Sequence, residues 1–274
     1  MATQITFIGA GNMAGAIIGG LIDSGMAPSS ITATSPSDAA LAPVSERFGI
    51  NTQTDNSTAV ANADVVVLAV KPQIMRDVCE KMRDSIQHQR PLIISIAAGL
   101  DATTIDTWLG GGLAVVRCMP NTPSLVGCGA SGLYANAAVS EQQHQTATQL
   151  MEAVGLVEWV EEEHLLDAVT AVSGSAPAYF FLMFEAMEAA GIKLGLPAAT
   201  ARRLAIQTAL GAARMAQQSE HDPATLKKNV MSPGGTTERA IEHMENAQLR
   251  QTIQDAMDAC AHRAQEMGKE LAGK

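Results

Sequence analysis

The sequence predicts an α/β domain with a mostly parallel sheet, followed by an all-α domain. In residues 1–162, short apolar runs of strand length alternate with longer runs of helical period, which is typical of βαβ units. In residues 163–274 only helical segments rich in Ala, Met, Leu and Gln remain. The length of 274 residues suits two domains, and the acidic run Glu161, Glu162 and Glu163 marks the boundary between them.

The strands of the first half are predicted from apolar runs and the helices from apolar residues at helical spacing. The run over residues 64–70 is apolar after its first residue, which indicates a strand buried on both faces, and Pro72 suits the first turn of the helix that follows. Asp101 and Ser140 are predicted to cap two further helices. We predict strands over residues 5–8, 31–35, 64–70, 92–97, 114–119, 131–134 and 156–160, and helices over residues 13–24, 37–48 and 72–87.

The second half is predicted to contain six helices. Asp222 and Asn246 are predicted to cap two of them, because each is an N-cap residue type directly before a helical pattern. The predicted helices span residues 164–172, 177–192, 198–218, 223–230, 236–245 and 247–271.

Composition and charge exclude several classes of protein. Hydrophobic residues make up 47% and charged residues 17%, which predicts a packed core and excludes general disorder. The formal charge of −10 argues against nucleic acid or an anionic membrane as the main partner. No apolar run approaches the roughly 18 residues needed to span a bilayer, and residues 1–6 show no leader peptide, so we expect a soluble cytoplasmic protein.

The four cysteines and six histidines are scattered along the chain without metal-ligand spacing. We therefore expect no metal site, and we expect the cysteines to be reduced core residues, as in a cytosolic protein. These cysteines are Cys79, Cys118, Cys128 and Cys260.

A glycine-rich turn follows the first predicted strand and opens the first helix. Gly9, Gly11 and Ala14 give the spacing G-x-G-x-x-A. The first glycine permits a tight turn, the second lets backbone N–H groups approach a pyrophosphate, and the small alanine allows close packing of helix on strand. The pattern alone also occurs in plain βα connections, but its place in the first βαβ unit predicts a Rossmann-type dinucleotide site.

The end of the second predicted strand indicates which dinucleotide binds. An NAD site usually has Asp or Glu there, whereas this strand ends in Ser35, Pro36 and Ser37. Without a carboxylate to repel it, a 2′-phosphate can be accepted by the two serine hydroxyls, so NADPH is favoured and NADH is the alternative. Ser37 also reads as a helix N-cap ahead of Asp38, and the two roles can coexist.

Three further segments end strands at the same edge of the predicted sheet, where ligands of open α/β sheets bind. The position of the first two predicts contact with the cofactor, although Lys71 reads equally well as an exposed charge. Asn121, in the third segment, has an amide that could orient the nicotinamide or the substrate, and turn chemistry explains it nearly as well. The predicted contacts are Ala69, Val70, Lys71 and Pro72 in the first segment, Ala97 in the second and Asn121 in the third.

Two loops are predicted in the helical half, each running into a helix. The loop over residues 172–179 contains Ser175, and the loop over residues 232–237 offers small residues and consecutive N–H groups at a helix start. The second loop is a natural receptor for a small carboxylate. A glycine-rich connector with a threonine cap is the alternative reading.

Five motifs together resemble those of the pyrroline-5-carboxylate reductase family, and the resemblance covers essentially the whole chain. It implies reduction of the cyclic imine 1-pyrroline-5-carboxylate to L-proline by NAD(P)H, in a Rossmann domain followed by a helical oligomerisation domain. The motifs are Gly9-Ala-Gly-Asn-Met, Ala69-Val-Lys-Pro, Met119-Pro-Asn-Thr-Pro, Val172-Ser-Gly-Ser-Ala-Pro-Ala-Tyr and Ser232-Pro-Gly-Gly-Thr-Thr.

The resemblance also implies roles for individual residues. The dinucleotide turn is matched by Gly9, Gly11, Asn12 and Met13, the cofactor-selecting position by Ser35, the adenosine-ribose contact by Asn56, and the strip beside the nicotinamide by Ala69, Val70, Lys71 and Pro72. The loop that takes the substrate carboxylate and ring nitrogen is matched by Ser232, Gly234, Gly235, Thr236 and Thr237. Thr237 is the predicted catalytic residue. Some members of the family have Arg where this chain has Pro36, which leaves the strictness of the NADPH preference open.

Hydride addition to a protonated imine needs no strong protein acid at the carbon that is reduced, so positioning over the nicotinamide does most of the work. A hydroxyacid or 6-phosphogluconate-type dehydrogenase is the rival enzyme, but it would place a catalytic Lys in residues 176–191, where this chain has none. A dinucleotide-sensing protein without turnover is the rival of another class.

The predicted helix over residues 177–192 also bears on assembly. It is apolar on nearly every face and is interrupted only by Glu185 and Glu188, so it has to be buried. The rest of the helical half is too small to cover it. We therefore expect a homodimer or higher homo-oligomer that packs through the helical halves, with each active site completed near the interface.

Overall fold

The first half of the chain folds into one eight-stranded sheet, seen in a computed structural model that describes residues 3–272. The strands are β1 (Ile5–Ile8), β2 (Ile31–Thr34), β3 (Asn51–Gln53), β4 (Val65–Leu68), β5 (Leu92–Ser95), β6 (Val115–Met119), β7 (Gly129–Ala135) and β8 (Gly155–Trp159). Their order in the sheet is β3-β2-β1-β4-β5-β6-β7-β8. Every neighbouring pair is parallel except β6 and β7, which confirms the mostly parallel sheet.

Twelve α-helices occur among residues 3–272. Those of the first half are α1 (Asn12–Asp23), α2 (Asp38–Phe48), α3 (Asn56–Val60), α4 (Pro72–Gln89), α5 (Ala102–Trp108) and α6 (Glu141–Glu152). Those of the second half are α7 (Leu165–Val169), α8 (Ala176–Lys193), α9 (Ala198–Gln218), α10 (Pro223–Asn229), α11 (Thr236–Asn246) and α12 (Leu249–Ala272). The all-α character of the second half is confirmed.

Both faces of the sheet are covered by apolar side chains, as a parallel sheet requires. Successive residues of β4 alternate between two cores, with Val65 and Val67 in one and Val66 and Leu68 in the other. Helix α1 packs into the first core and α4 into the second. The central strands are therefore held by burial on both faces, and their carboxyl ends form the edge where ligands of such sheets bind.

The chain forms two compact units. One unit runs up to Ser175 and takes in the residues from Ala259 onwards, and the other spans Ala176–Asp258. In the second unit α8 packs closely on α9, because a Cβ added at Gly191 would lie 2.9 Å from the Cβ of Ala201. The predicted domains, residues 1–162 and 163–274, stay a prediction.

Most of the predicted elements lie where the sequence placed them. Strand β1 and helix α9 have the predicted bounds. The caps are confirmed as well: Asp101 accepts a hydrogen bond from the N–H of Thr104 at 2.6 Å, and Asp222 accepts one from Thr225 at 2.7 Å. Ser140 forms a reciprocal capping box with Gln143. These interactions join residues three apart, so local sequence is sufficient to specify them.

Several local predictions were wrong. Asn246 is not a cap but the last residue of α11, and the next helix starts only at Leu249, because Gln248 has a positive φ of 58° that interrupts the helix. Strand β3 and helix α3 were not predicted, since β3 is short, polar and exposed.

The predicted loop over residues 172–179 is helical. Residues Thr170–Gly174 form a π-helical turn, closed by a hydrogen bond from the Ser175 N–H to the Thr170 carbonyl at 2.8 Å, and α8 follows directly. A π-turn has no simple sequence signature, but it is frequent at functional sites.

The prediction for the cysteines was right in one respect and partly wrong in another. All four are free, and Cys79 and Cys118 are buried in the core. Cys128 is exposed, however, and Cys260 is only half-buried, because these two lie on a turn and on α12 instead of in the sheet core. Residues 3–272 contain no cluster of His, Cys, Asp and Glu that could hold a metal, and the absence of a metal site stays a prediction.

One helical stretch, Leu165–Lys193, is long and apolar enough to cross a membrane by length and composition, which corrects the expectation from the sequence. The best window of this stretch has a mean hydropathy of 1.3. A single stretch of this kind is weak evidence, because helices packed inside soluble proteins have the same composition. The stretch includes α8, whose Phe180, Phe181 and Leu182 are 60–66% exposed in the single chain.

Candidate functional site

The glycine-rich turn lies between β1 and α1 and depends on Gly9. This residue has a φ of +106°, and a Cβ there would lie 2.7 Å from the carbonyl oxygen of Ala69. The Gly9 N–H donates to the Thr34 carbonyl at 3.1 Å, and the Ala69 N–H donates to the Ile8 carbonyl at 2.9 Å. Only glycine fits, because the chain turns here between the ends of β2 and β4.

The N-terminus of α1 is open and has the features of an anion site. Gly11 is the N-cap, Asn12 is the first helical residue, and both are exposed. A Cβ at Gly11 would have nothing within 4 Å, so space is available above the first turn. Ala14 is fully buried and lets the helix pack on the sheet. The free N–H groups and the helix dipole favour a phosphate at this point.

The end of β2 carries no charge that opposes a 2′-phosphate. Ser35 is half-buried, and its N–H is linked to the Gln53 carbonyl at 3.4 Å. Ser37 occupies the N-cap of α2, but its side chain makes no capping hydrogen bond, and the residue is exposed. The hydroxyl of Ser37 is therefore available for a ligand, while Asp38 in the first turn of α2 is the nearest acidic residue in the sequence.

The predicted adenosine-ribose contact, Asn56, begins α3 and is half-buried. Asp55 caps this helix and accepts hydrogen bonds from Thr58 Oγ1 at 2.6 Å and from the Thr58 N–H at 2.7 Å. These bonds hold the pKa of Asp55 below its ordinary value. The Asp55 carboxylate is thus engaged in capping, and the contact of Asn56 with a ribose stays a prediction.

The predicted nicotinamide strip follows β4. Ala69 and Val70 are half-buried, Lys71 is the exposed N-cap of α4, and Pro72 is its first residue. Ala97 lies after the neighbouring strand, β5, and is 8% exposed. Because β3, β2, β1, β4 and β5 are neighbouring parallel strands, their carboxyl ends form one edge, and the predicted cofactor residues all follow these strands at that edge.

A cavity of about 240 Å³ lies beyond this edge, within the first compact unit. Ala97, Met119 and Ser175 line it, together with residues of α7, the π-turn and α12. Ser175 Oγ lies 3.2 Å from the Cys260 sulfur, which donates to it. The structure thus brings two of the predicted residues, Ala97 and Ser175, to one small cavity.

Cys118, which also lines the cavity, is not a candidate nucleophile. Burial raises the pKa of its thiol to about 12, against a smaller opposing effect of the hydrogen bond with Ser131. The thiol is therefore protonated and unreactive at neutral pH.

Asn121 lies at the end of β6 and is bound to backbone on both sides. Its Oδ1 accepts a hydrogen bond from the Ala130 N–H at 2.9 Å, and its Nδ2 donates to the Ser173 carbonyl at 3.1 Å. The residue is only 8% exposed. These bonds show a structural bridge, and direct contact with a ligand stays a prediction.

The predicted carboxylate loop lies in the second compact unit and leads into α11. Gly234 has a φ of +71°, and Gly235 is the N-cap, where a Cβ would lie 2.8 Å from the Ser232 carbonyl oxygen. Thr236 and Thr237 are the first two helical residues, so their N–H groups have no partner within the helix. Two N–H groups of the loop are already used: that of Gly235 donates to Ser232 and that of Gly234 to the Glu238 carboxylate, at 2.9 and 2.6 Å.

Sequence reasoning missed an ion pair beside the cavity. Arg117, on β6, lines the cavity and pairs with Glu163 at 3.0 Å. The same Glu163 oxygen accepts the Ala102 N–H at the start of α5, at 2.7 Å. The acidic run that contains Glu163 was read only as a domain boundary, and no local signal connects it with a residue 46 positions earlier.

The residues present fit a dinucleotide. Gly9 allows the tight turn, the N-terminus of α1 is open, and the end of β2 carries no carboxylate. All three features lie at the carboxyl edge of the sheet beside β1, where the strand order reverses. The fold and this edge define a dinucleotide-binding α/β protein with a helical second half.

Over its whole length the chain is similar to known pyrroline-5-carboxylate reductases. It is 49% identical to the one from Pseudomonas aeruginosa over 98% of both chains. The chain belongs to the pyrroline-5-carboxylate reductase family. Residues 163–267 match the family model described as pyrroline-5-carboxylate reductase dimerisation, and residues 4–99 match that of NADP oxidoreductase, coenzyme F420-dependent.

Solved structures support the same assignment. The reductase from Coxiella burnetii has a TM-score of 0.94 and 46% identity, with coverage of 97% of this chain and 99% of that one. The pyrroline carboxylate reductase from Plasmodium falciparum, solved with NADP bound, has a TM-score of 0.86 and 28% identity, with coverage of 97% and 98%. The resemblance that the five sequence motifs indicated is confirmed.

Proposed function

We propose that this protein is an oxidoreductase acting on CH–NH bonds, which reduces 1-pyrroline-5-carboxylate to L-proline with NADPH in the cytoplasm, as the last step of proline biosynthesis. NADH is the alternative reductant. The observation that carries the proposal is 49% identity to a reductase of this name over 98% of the chain, with the dinucleotide turn intact in the structure.

The first compact unit would hold the cofactor, which supplies the hydride when bound. The N-terminus of α1, with Gly9, Gly11, Asn12 and Met13, binds the pyrophosphate. Ser35 and Ser37 would bind the 2′-phosphate and Asn56 the adenosine ribose, and Ala69, Val70, Lys71, Pro72 and Ala97 would contact the nicotinamide. These residues orient the cofactor and supply no proton to the carbon that is reduced.

The loop before α11 would hold the substrate. The free N–H groups of Thr236 and Thr237 donate hydrogen bonds to the carboxylate, and Ser232, Gly234 and Gly235 form the rest of the loop around it. The Thr237 hydroxyl is placed at the ring nitrogen, where it stabilises the protonated imine as the carbon is reduced. Ser175, in the wall of the cavity, completes the substrate side. Because the imine carries its own positive charge, orientation over the nicotinamide is the main contribution of the protein.

The helical half would pack against a second copy of the chain. Helix α8 leaves Phe180, Phe181 and Leu182 exposed in the single chain, and a patch of this kind marks an interaction surface. The family model for dimerisation spans this helix. We therefore propose a homodimer or a larger homo-oligomer, with each active site completed near the interface, and we expect neither nucleic acid nor a membrane as a partner.

One assay tests the proposed reaction. The absorbance of NADPH is followed with the purified protein, with and without pyrroline-5-carboxylate. Oxidation that depends on the imine is expected. If the protein instead reduces NADP⁺ with a hydroxyacid, the dehydrogenase reading is correct, and if it binds NADPH without any turnover, the sensing reading is correct.

A further inference from the structure

Asn121 joins the carboxyl end of β6 to the turn that precedes α8, and its amide faces backbone on both sides. We propose that Asn121 is a positioning residue for imine reduction. It holds the π-helical turn Thr170–Gly174 against the sheet, so that Ser175 keeps its place in the wall of the 240 Å³ cavity. This role rests on the proposed function, and it replaces direct contact between the amide and a ligand.

The hydrogen bond from Asn121 supplies a donor that the helix itself does not provide to the Ser173 carbonyl. In a regular helix the Ser173 carbonyl would accept the N–H of the residue four positions later. That residue is Pro177, which has no N–H to donate. The Nδ2 of Asn121 donates to this carbonyl at 3.1 Å instead. A residue 52 positions away thus completes the junction between the π-turn and α8.

The turn lies directly against the strands that Asn121 connects. A Cβ added at Gly132, on β7, would lie 2.5 Å from a methyl carbon of Val169, the last residue of α7 directly before the turn, and one added at Gly174, in the turn, would lie 2.5 Å from the terminal methyl of Met119. The close approach of the turn to the sheet therefore depends on two glycines. The hydrogen bond from Asn121 then fixes the position of the turn on the sheet. Packing of this density transmits a small shift instead of absorbing it.

The position of the turn matters because Thr170, in the turn, lines the same cavity as Ala97, a predicted cofactor contact. Thr170 and Ser175 contribute one side, and Ala97 with Gly99 contributes another. A displacement of the turn changes the space left for a small ring beside Ala97. Misplacement by about 1 Å at such a distance costs as much as about a hundredfold in rate.

Asn136 provides a matched control at the opposite end of the same pair of strands. Its Nδ2 donates to the Leu113 carbonyl at 3.0 Å, and its Oδ1 accepts the N–H of Val115 at 3.1 Å. It is also an asparagine that bridges backbone groups and is at least partly buried. Neither Asn136 nor the backbone groups that it binds line the cavity.

The experiment compares Asn121→Asp with Asn136→Asp. Each change retains an acceptor oxygen and removes the donor, and in the first variant an oxygen then faces the Ser173 carbonyl. We expect kcat/KM for the imine to fall by about tenfold or more in N121D and by less than about twofold in N136D, when both are measured well below their Tm values. We expect the Kd for NADPH, from fluorescence titration, to change by less than about twofold in both, because the glycine turn is untouched.

A rescue variant isolates the bond itself. Pro177→Ala supplies an N–H four residues after Ser173, so the double variant N121D/P177A should recover at least about threefold of the lost kcat/KM. Purely structural damage at Asn121 would not be restored in this way. Should N121D fail to fold, Asn121→Ala removes the same donor without adding a charge and is judged by the same measurements.

Three results would overturn the positioning role: wild-type kcat/KM in a folded Asn121 variant, an equal loss in N136D, or a parallel loss of NADPH affinity. A wild-type protein without any imine-dependent oxidation of NADPH would contradict the proposed function itself. An active wild-type protein beside an equally active N121D variant would contradict the positioning role alone.

Discussion

Replacing Gly9 and Gly11 separately by alanine distinguishes the two tasks of the dinucleotide turn. At Gly9, the φ of +106° costs an alanine about 1–3 kcal/mol in backbone strain. The added Cβ would also lie 2.7 Å from the Ala69 oxygen, and relieving such an overlap costs about 1–3 kcal/mol more. Gly9→Ala should therefore lower the free energy of unfolding by about 2–6 kcal/mol, a large part of the stability of an ordinary domain.

Gly11→Ala should leave the fold nearly unchanged. The residue has a φ of −75°, which alanine adopts freely, and nothing lies within 4 Å of the added Cβ. Replacing glycine at an N-cap costs about 1 kcal/mol. The Cβ would, however, stand where the backbone approaches the pyrophosphate, so the Kd for NADPH should rise by about tenfold or more, equivalent to about 1.4 kcal/mol.

Urea unfolding and fluorescence titration with NADPH measure the two effects separately. Gly9→Ala should lose both stability and NADPH affinity, and Gly11→Ala should lose affinity alone. Wild-type affinity in the folded Gly11→Ala variant would refute the placement of the pyrophosphate at this helix start. Wild-type stability of Gly9→Ala would refute the argument from backbone strain and overlap.

Three further predictions concern cofactor choice, catalysis and assembly. NADPH should give a higher kcat/KM than NADH, and Ser35→Asp should shift the ratio towards NADH because a fixed charge would face the 2′-phosphate; a wild-type preference for NADH would contradict the reading of the β2 end. Thr237→Ala should lower kcat/KM by about one to two orders of magnitude with the fold intact, and Thr237→Ser should retain more activity; near-wild-type turnover of the alanine variant would exclude the catalytic assignment. Sedimentation at micromolar concentration should show a dimer or a larger assembly, because α8 exposes large apolar side chains in the single chain, and an active, stable monomer would refute this argument.

Features that depend on near neighbours in the chain were predictable from the sequence. The alternation of apolar runs and helical periods predicted the parallel sheet and placed seven of its strands to within two residues at each end, because burial on both faces leaves a continuous apolar run. The glycine-rich turn was predictable because its strand, its glycines and its helix all lie within residues 5–23. Asp101, Ser140 and Asp222 were recognised as caps because their partners are three residues away.

Features that depend on distant partners were decided only by the tertiary structure. Strand β3 is polar and exposed, and it is a strand because it pairs with β2. Helix α12 starts at Leu249 instead of residue 247 because Gln248 has a positive φ, and no pattern in the sequence predicted this conformation. Glu163 looked like part of a boundary and proves to pair with Arg117.

The region around the cavity shows the physical reason for this division. Periodicity and capping are satisfied by neighbours in sequence, so the sequence by itself determined where most of the helices and strands form. The Ser173 carbonyl accepts its hydrogen bond from Asn121, 52 residues earlier, and the two meet only once the sheet has formed. The sequence shows only that Pro177, four residues after Ser173, has no N–H to donate. The tertiary structure decided which residue supplies the donor, because a backbone carbonyl removed from water accepts the donor that packing places within reach.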